Sequence, residues 1–219
     1  MAFTTASTAD RKLFKDNILL KIISFIVIAY WATTFLLTPN KTNWYTENTL
    51  TILAISVLFV THKKFQFSDL SYTLLGIYLM LHMYGAEYTY AENPLGFWLR
   101  DFFGLNRNYY DRIVHFSFGF LLAYPLREYF KNYFNWPNWV SLVLPCEITL
   151  SFSAMYELIE WLVADIFFPS EGIAYLGSQG DIWDAQKDMG IAFIGSILAI
   201  GAIVIFKIYA RRVALKVIK

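Results

Sequence analysis

The stretch LGSQGDIWDAQKDMGIAFIGSILAIGAIVIF, Leu176–Phe206, decides how the rest of the chain is read. From Ile191 onward it is apolar or small without interruption, and with its flanks it approaches the roughly 20 residues that a helix needs to cross a bilayer. Directly before it stand Asp181, Asp184 and Asp188, spaced i, i+3, i+7, which places them on one face of a helix already running there. A segment entering lipid has a use for three acids on one face only if that face turns away from lipid.

The composition agrees. Of the 219 residues, 57% are hydrophobic, 19% are aromatic and 16% are charged, and the mean hydropathy is +0.44. A soluble domain carries about a quarter charged residues. The apolar excess lies in six blocks, Ile18–Leu37, Tyr45–Thr61, Leu70–Gly85, Ile113–Phe130, Val140–Phe167 and Asp188–Tyr209. They predict an all-α polytopic membrane protein with six transmembrane helices, a single integral membrane domain over 1–219. Residues 1–17 form a polar cytoplasmic segment, and the two longer outer loops are 86–110 and 168–187. No short apolar core with a small-residue cleavage site opens the chain, so no cleaved signal peptide is expected. The lone Cys146 excludes an internal disulfide, and a net charge of +1 excludes a nucleic-acid footprint.

Charge sets the expected orientation. Arg11, Lys12, Lys15, Lys21, Lys63, Lys64, Arg127, Lys131, Lys207, Arg211, Arg212, Lys216 and Lys219 fall on one side, and Lys41, Arg100, Arg107, Arg112 and Lys187 on the other, 13 against 5. The excess of positive charge in cytoplasmic loops predicts that both termini are cytoplasmic. The acids do the opposite, with 12 of 17 toward the outer side.

Four outer helix ends carry ionisable side chains. HMYGAEY holds His82 and Glu87, which share a face only if Gly85 breaks the helix. YDRIVHF holds Asp111 and His115, and YELIEW holds Glu157 and Glu160; both pairs are neighbours on a helix surface. Small residues continue these stripes: Ala192, Gly195, Ala199 and Ala202 after Asp188, Gly119 after His115, and Ser153 and Ala164 around the glutamates. Small residues mark close packing of membrane helices, so the acids are expected to face the bundle interior. A charge in the bilayer centre costs roughly 2.5–3.5 kcal/mol, which calls for pairing, protonation or a cation. With Arg112 beside rather than on the face of Asp111, pairing leaves carboxylates over. Carboxylates with histidine suit Zn²⁺, Mn²⁺ or Mg²⁺.

Plainer readings stand beside these. Asp181 reads either as a ligand or as a helix N-cap, Asp184 and Asp111 as first-turn acids that favour the helix dipole, and His115 as a core histidine. Glu157 and Glu160 lie late in a helix, where the dipole disfavours acids. Glu47, Glu92, Asp101, Asp165 and Glu171 read as solvated loop charges.

The loop YTYAENPLGFWLRDFFGLNRNYY, Tyr88–Tyr110, predicts a short interfacial helix with Phe97, Trp98, Phe102 and Phe103 toward lipid. It serves either as an aromatic anchor or as a lid over the acidic pocket, with Arg100 and Arg107 available to an anionic head group. The second outer loop, FPSEGIAYLGSQGD, is expected to line the same pocket.

TYAENPLGFW, NYYDRIVHF, YELIEW and LGSQGDIWDAQKDM resemble the bacterial inner-membrane YjdF-like family, from about His62 to Gly195. More distantly, the pattern is similar to VanZ-like proteins, associated with teicoplanin resistance: Asp111, Arg112, His115 and Phe116 open one helix, Glu157 closes the next, and Asp184 or Asp188 opens the last. Glu160 departs from that pattern, which tends to have glutamine there. The resemblance implies a bacterial cytoplasmic membrane and a six-helix bundle, and supplies no reaction.

The expectation is a metal-dependent hydrolase or transferase acting on a lipid or lipid-linked envelope substrate. One divalent metal sits on His115, Glu157, Asp184 and Asp188, and Asp111 orients His115. Glu160 is the general base and His82 a further acid–base candidate. Arg100, Arg107, Arg112, Glu87, Trp98, Gln179 and Asp181 line the substrate path. Two alternatives stay open: a proton-coupled transporter with the acids as a relay, and a non-catalytic membrane scaffold with a structural metal.

Overall fold

The computed structural model describes residues 11–167 and 178–217, and among these every regular element is helical. Helices α1 (Ile18–Leu37), α2 (Lys41–Lys64), α3 (Asp69–Tyr88), α5 (Tyr110–Asn132), α6 (Asn138–Leu162) and α7 (Asp184–Val217) have 20, 24, 20, 23, 25 and 34 residues. Each is therefore about 30 Å long or longer. The short helix α4 (Pro94–Phe103) lies between α3 and α5, and α6 runs on into a π-turn at Val163–Phe167. By length and composition, Ile18–Leu37, Asn138–Ile166 and Asp184–Leu215 are apolar enough to cross a membrane.

Caps, rather than the limits of apolarity, set the helix ends. The Asn17 side chain accepts from the Leu20 N–H and donates to Asp69 at 2.7 Å, fixing the start of α1 against α3. Pro39 stops α1, and Asn40 then caps α2 through the Asn43 N–H. Hence α2 begins at Lys41, earlier than the apolar block suggests. Ser68 caps α3, and buried Glu128 accepts from the Ser68 N–H, the Ser68 hydroxyl and the Ser71 hydroxyl. At the other end α3 runs through Gly85 to Tyr88 without a break, so His82 and Glu87, five residues apart, lie about 140° apart around it. Gly85 is small for another reason: a Cβ there would lie 2.5–2.8 Å from the ring of Tyr90. The expected interfacial helix is present as α4, with Pro94 in its first turn, Asn93 as cap, Gly104 in the left-handed conformation at its end, and Trp98, Phe102 and Phe103 exposed.

The distribution of side chains is inverted relative to a protein folded in water. Phe25, Leu36 and Phe206 are 74%, 76% and 70% exposed, whereas Asn48, Thr51, Thr149 and Asp188 are fully buried. Exposed apolar surface on this scale would drive association in water and is neutral in lipid. Inward-facing polar groups also explain why α2, α3 and α5 read as less apolar than the other long helices. Asn43, Glu47 and Asn48 of α2, His82 and Glu87 of α3, and Arg112, His115 and Glu128 of α5 are all buried.

α5 packs against α3, α6 and α7, and its contact with α7 is the most extensive in the fold. A reciprocal pair of glycines makes this contact possible. A Cβ on Gly119 would fall on the Ala192 carbonyl oxygen and 2.9 Å from the Ser196 nitrogen, and one on Gly195 would fall on the Phe116 carbonyl oxygen. The small-residue stripe of α7 is buried at Ala192, Gly195 and Ala199 but exposed at Ala202, so it ends one turn earlier than the spacing predicts. The Gly119→Val variant is expected to lose roughly 1–3 kcal/mol of stability, as overpacking does. Gly201→Ala, where an added Cβ meets nothing within 4 Å, is expected to be neutral or to gain up to about 1 kcal/mol. Thermal unfolding of the detergent-solubilised variants checks both.

Candidate functional site

The site forms where α5 and α7 begin and α6 ends. Asn108 accepts from the Tyr110 N–H at 3.0 Å, and the buried Tyr110 hydroxyl donates to the Leu81 carbonyl at 2.8 Å. These two bonds pin the start of α5 to α3. The first turns of α5 then present Asp111, Arg112 and His115 to the interior.

Arg112 spans the gap to α7. Its guanidinium pairs with Asp184 and with Asp188, donates to the Asp184 carbonyl at 3.1 Å and lies 3.6 Å from Asp181. Arg107 joins from the loop before α5, 2.7 Å from Asp184 and 3.6 Å from Asp181, and donates to the Ser178 carbonyl at 2.9 Å. Arg112 is committed to Asp184 and Asp188 of α7, whereas Arg107 pairs with Asp184 and keeps its Nε and Nη2 without a partner. Asp184 is held by two guanidinium groups and is already satisfied without a metal. The spacing of acids on one helix carried no information about an arginine arriving from another element.

Asp181 caps the entry to α7. It accepts from the Trp183 N–H at 3.1 Å and from the Lys187 ammonium at 2.7 Å. The Lys187 hydrogen bond comes first among the causes that hold its carboxyl below the usual carboxylate range. Gln179 and Asn108 exchange two hydrogen bonds, at 3.0 and 2.9 Å, that tie the loop before α7 to the loop before α5. Gln179 itself has a φ of 49°, and the left-handed turn is completed by Gly180 at 86°.

His115 sits between carboxylates. Its Nε2 is 3.5 Å from Asp111 Oδ1 and 3.4 Å from Glu157 Oε1, and its Nδ1 is 3.3 Å from the Ser153 hydroxyl. Asp111, His115 and Asp188 each offer one ligand atom within 4.8 Å of the others. Among the described residues, Glu157 Oε1 and Asp188 Oδ1 are buried without a hydrogen-bond partner, as are Arg107 Nε and Nη2. Glu160 lies within electrostatic reach of Asp111, Glu157 and Glu47.

Glu47 was expected to be a solvated loop charge and is instead buried in α2, accepting from the Tyr156 hydroxyl at 3.2 Å. The Tyr156 ring packs edge-on to His115, with centroids 5.7 Å apart. His82 lies on this arm: Nε2 is 3.3 Å from the Glu47 carbonyl oxygen and Nδ1 is 2.5 Å from the Tyr90 hydroxyl. Burial raises the Tyr90 phenol well above its ordinary range, so the phenol keeps its proton and donates it to Nδ1. That leaves the His82 Nε2–H to donate to the Glu47 carbonyl. The missed signal was Asn43, Glu47, Asn48 and Thr51, one polar stripe at i, i+4, i+5, i+8 that becomes visible once α2 begins at its Asn40 cap.

Other expected residues fall outside the cluster. Arg100 pairs with Asp101 at 2.7 Å on the surface and lies over the Phe97 ring. Trp98 is exposed and stacks on Phe102. The Glu87 carbonyl accepts from Thr38 at 2.8 Å, and its carboxylate lies within electrostatic reach of Tyr30, on the α1 side of α3. Glu171 and most of the second outer loop, 168–177, lie outside the described residues.

A family model described as "Predicted membrane protein (DUF2238)" matches residues 19–211. The curated protein "Inner membrane protein YjdF" of Escherichia coli (strain K12) is 36% identical over 163 residues, covering 74% of this chain and 77% of that protein. No solved structure matches the chain.

Removing Arg112 strands the buried Asp188 and leaves Asp184 with Arg107 alone, so Arg112→Gln is expected to cost on the order of 3–5 kcal/mol. Adding Asp188→Asn should recover part of that loss. Thermal unfolding of the single and double variants measures the coupling.

Proposed function

We propose, since the chain belongs to the DUF2238 family of predicted membrane proteins, that it is a multi-pass bacterial inner-membrane protein holding one divalent metal between α5, α6 and α7. It acts as a metal-dependent hydrolase or transferase on an amphipathic, anionic lipid or lipid-linked envelope substrate. The six long helices are its membrane spans, residues 1–219 form one integral membrane domain, and both termini are cytoplasmic. This orientation brings the acidic ends of α5, α6 and α7 to the periplasmic face and leaves α4 in the interface.

One spacing carries the metal reading. Two metal–ligand bonds of about 2.0–2.1 Å at a tetrahedral angle hold their ligand atoms about 3.4 Å apart. His115 Nε2 stands 3.5 Å from Asp111 Oδ1 and 3.4 Å from Glu157 Oε1. Both separations are too long for good hydrogen bonds and fit two ligand pairs around a common ion. The proposed set is therefore Asp111, His115, Glu157 and Asp188, with Asp184 outside it. Ser153 accepts from the Nδ1–H of His115 and keeps the Nε2 lone pair free. Charge balance points the same way: Arg107 and Arg112 offset Asp184 and Asp188, leaving Asp111 and Glu157 for a dication.

A metal held there would polarise a phosphoryl or acyl group. The chain's own groups supply the rest. The unpartnered Nε and Nη2 of Arg107 take an anionic oxygen of the substrate, and Glu160, within electrostatic reach of Asp111 and Glu157, exchanges a proton with the site. The exposed aromatic face of α4 holds the apolar part of the substrate in lipid.

Elemental analysis of the purified protein is expected to find about one zinc, manganese or magnesium ion per chain. The ion should be lost in Glu157→Gln/Asp188→Asn and kept in Asp101→Asn. If the wild type stays metal-free after dialysis against each ion in turn, the reading fails. For topology, alkaline phosphatase fused after Leu105 should be active, and a fluorescent protein at the C-terminus should fluoresce; the reverse pattern sinks the orientation.

A further inference from the structure

At the opposite end of α5 and α7 from the acidic site, the charge changes sign. Arg127 and Lys131 stand i, i+4 on α5, and Lys207 and Arg211 stand i, i+4 on the adjacent α7, so each pair lines one helix face. Lys207 lies within electrostatic reach of Arg127, Lys131 and Arg211. Arg127 is 8% exposed, its Nε is buried without a partner, and its Nη2 reaches Asn138 only at 3.5 Å. Glu128, within electrostatic reach of Arg127, is already engaged by Ser68, Ser71 and Arg11, and Lys131 donates to the Trp136 carbonyl at 3.4 Å. Arg127, Lys131 and Lys207 therefore stand together where Glu128, the carboxylate that acts on Arg127, is already engaged by other partners. A buried guanidinium with an unmade hydrogen bond is costly unless an anion completes it.

The flanks say which kind of anion. Ile205, Phe206 and Tyr209 around Lys207 are all exposed and apolar. A ligand here meets cations at the helix ends and an apolar strip running from them along α7. We propose that the ends of α5 and α7 form a binding site for an anionic phospholipid: the phosphate seats against Arg127 and Lys207, and an acyl chain lies along Ile205 and Phe206. Basic pockets between membrane helices recognise anionic head groups in this way. The site is separate from the acidic cluster and does not depend on the activity proposed for it.

The test uses the full-length protein in nanodiscs of mixed phosphatidylglycerol and phosphatidylcholine, with retained lipid counted by native mass spectrometry. The wild type is expected to retain phosphatidylglycerol preferentially. Retention should fall about fivefold for each charge removed in Lys207→Gln and Arg127→Gln/Lys207→Gln, and persist in Lys207→Arg. Lys207 is only half-buried, so its single variant keeps the test valid if the double variant misfolds. Equal retention of both lipids, or retention unchanged in Lys207→Gln, overturns the proposal. Displacement by millimolar inorganic phosphate, with no preference among lipids, assigns the pocket to a free anion and overturns it equally.

Discussion

Arg112 holds this structure together at its most expensive point. It leaves α5, crosses to α7 and pairs with Asp184 and Asp188, the acids that open the final helix. Taking three charged groups out of water costs several kcal/mol per ion, and only close pairing with full hydrogen bonding offsets that. The pairing exists because Gly119 and Gly195 let the two helix backbones touch. Either feature alone would be a liability: a glycine crossing without the ion bridge exposes acids, and the bridge without the crossing leaves the guanidinium short of its partners.

This arrangement divides the acids by role. Asp181 is a cap held by Lys187, and Asp184 is a structural counter-ion to two arginines. Asp111 and Glu157 stand 3.5 and 3.4 Å from His115 Nε2, and Asp188, in the same cluster, keeps its buried Oδ1 without a partner. Tyr156 extends the polar interior from His115 to Glu47, and Tyr90 extends it to His82. The polar core thus reaches from α7 across α5 and α6 to α2 and α3, and every long helix except α1 contributes an ionisable group to it.

The apolar outside and polar inside follow from a single solvent change. In lipid an exposed leucine gains nothing by burial, so packing is governed by close approach of small residues and by satisfaction of polar atoms. That is why the tightest crossing is made of Gly119, Ala192, Gly195 and Ser196 rather than of large apolar side chains. It is also why the fully buried Asn48 accepts from the Trp31 indole N–H at 2.6 Å and donates to the Trp44 carbonyl at 2.8 Å.

Much was legible from the chain alone. Long apolar blocks announce helices, because a backbone in lipid must satisfy its hydrogen bonds internally. Asp111 with His115, and Glu157 with Glu160, were legible as pairs because spacing within one helix fixes which residues share a face. Proline and glycine around GFWLRDFFGL announced a short separate helix. What spacing cannot encode is which face meets which partner. That Arg107 returns from a loop to Asp184, that Arg112 neutralises α7 rather than standing idle, and that Glu47 is buried against Tyr156 are contacts between residues 77, 72 and 109 positions apart. Only the packing of the helices against one another decided them, because a partner is chosen by distance in space, and no periodicity along the chain records it.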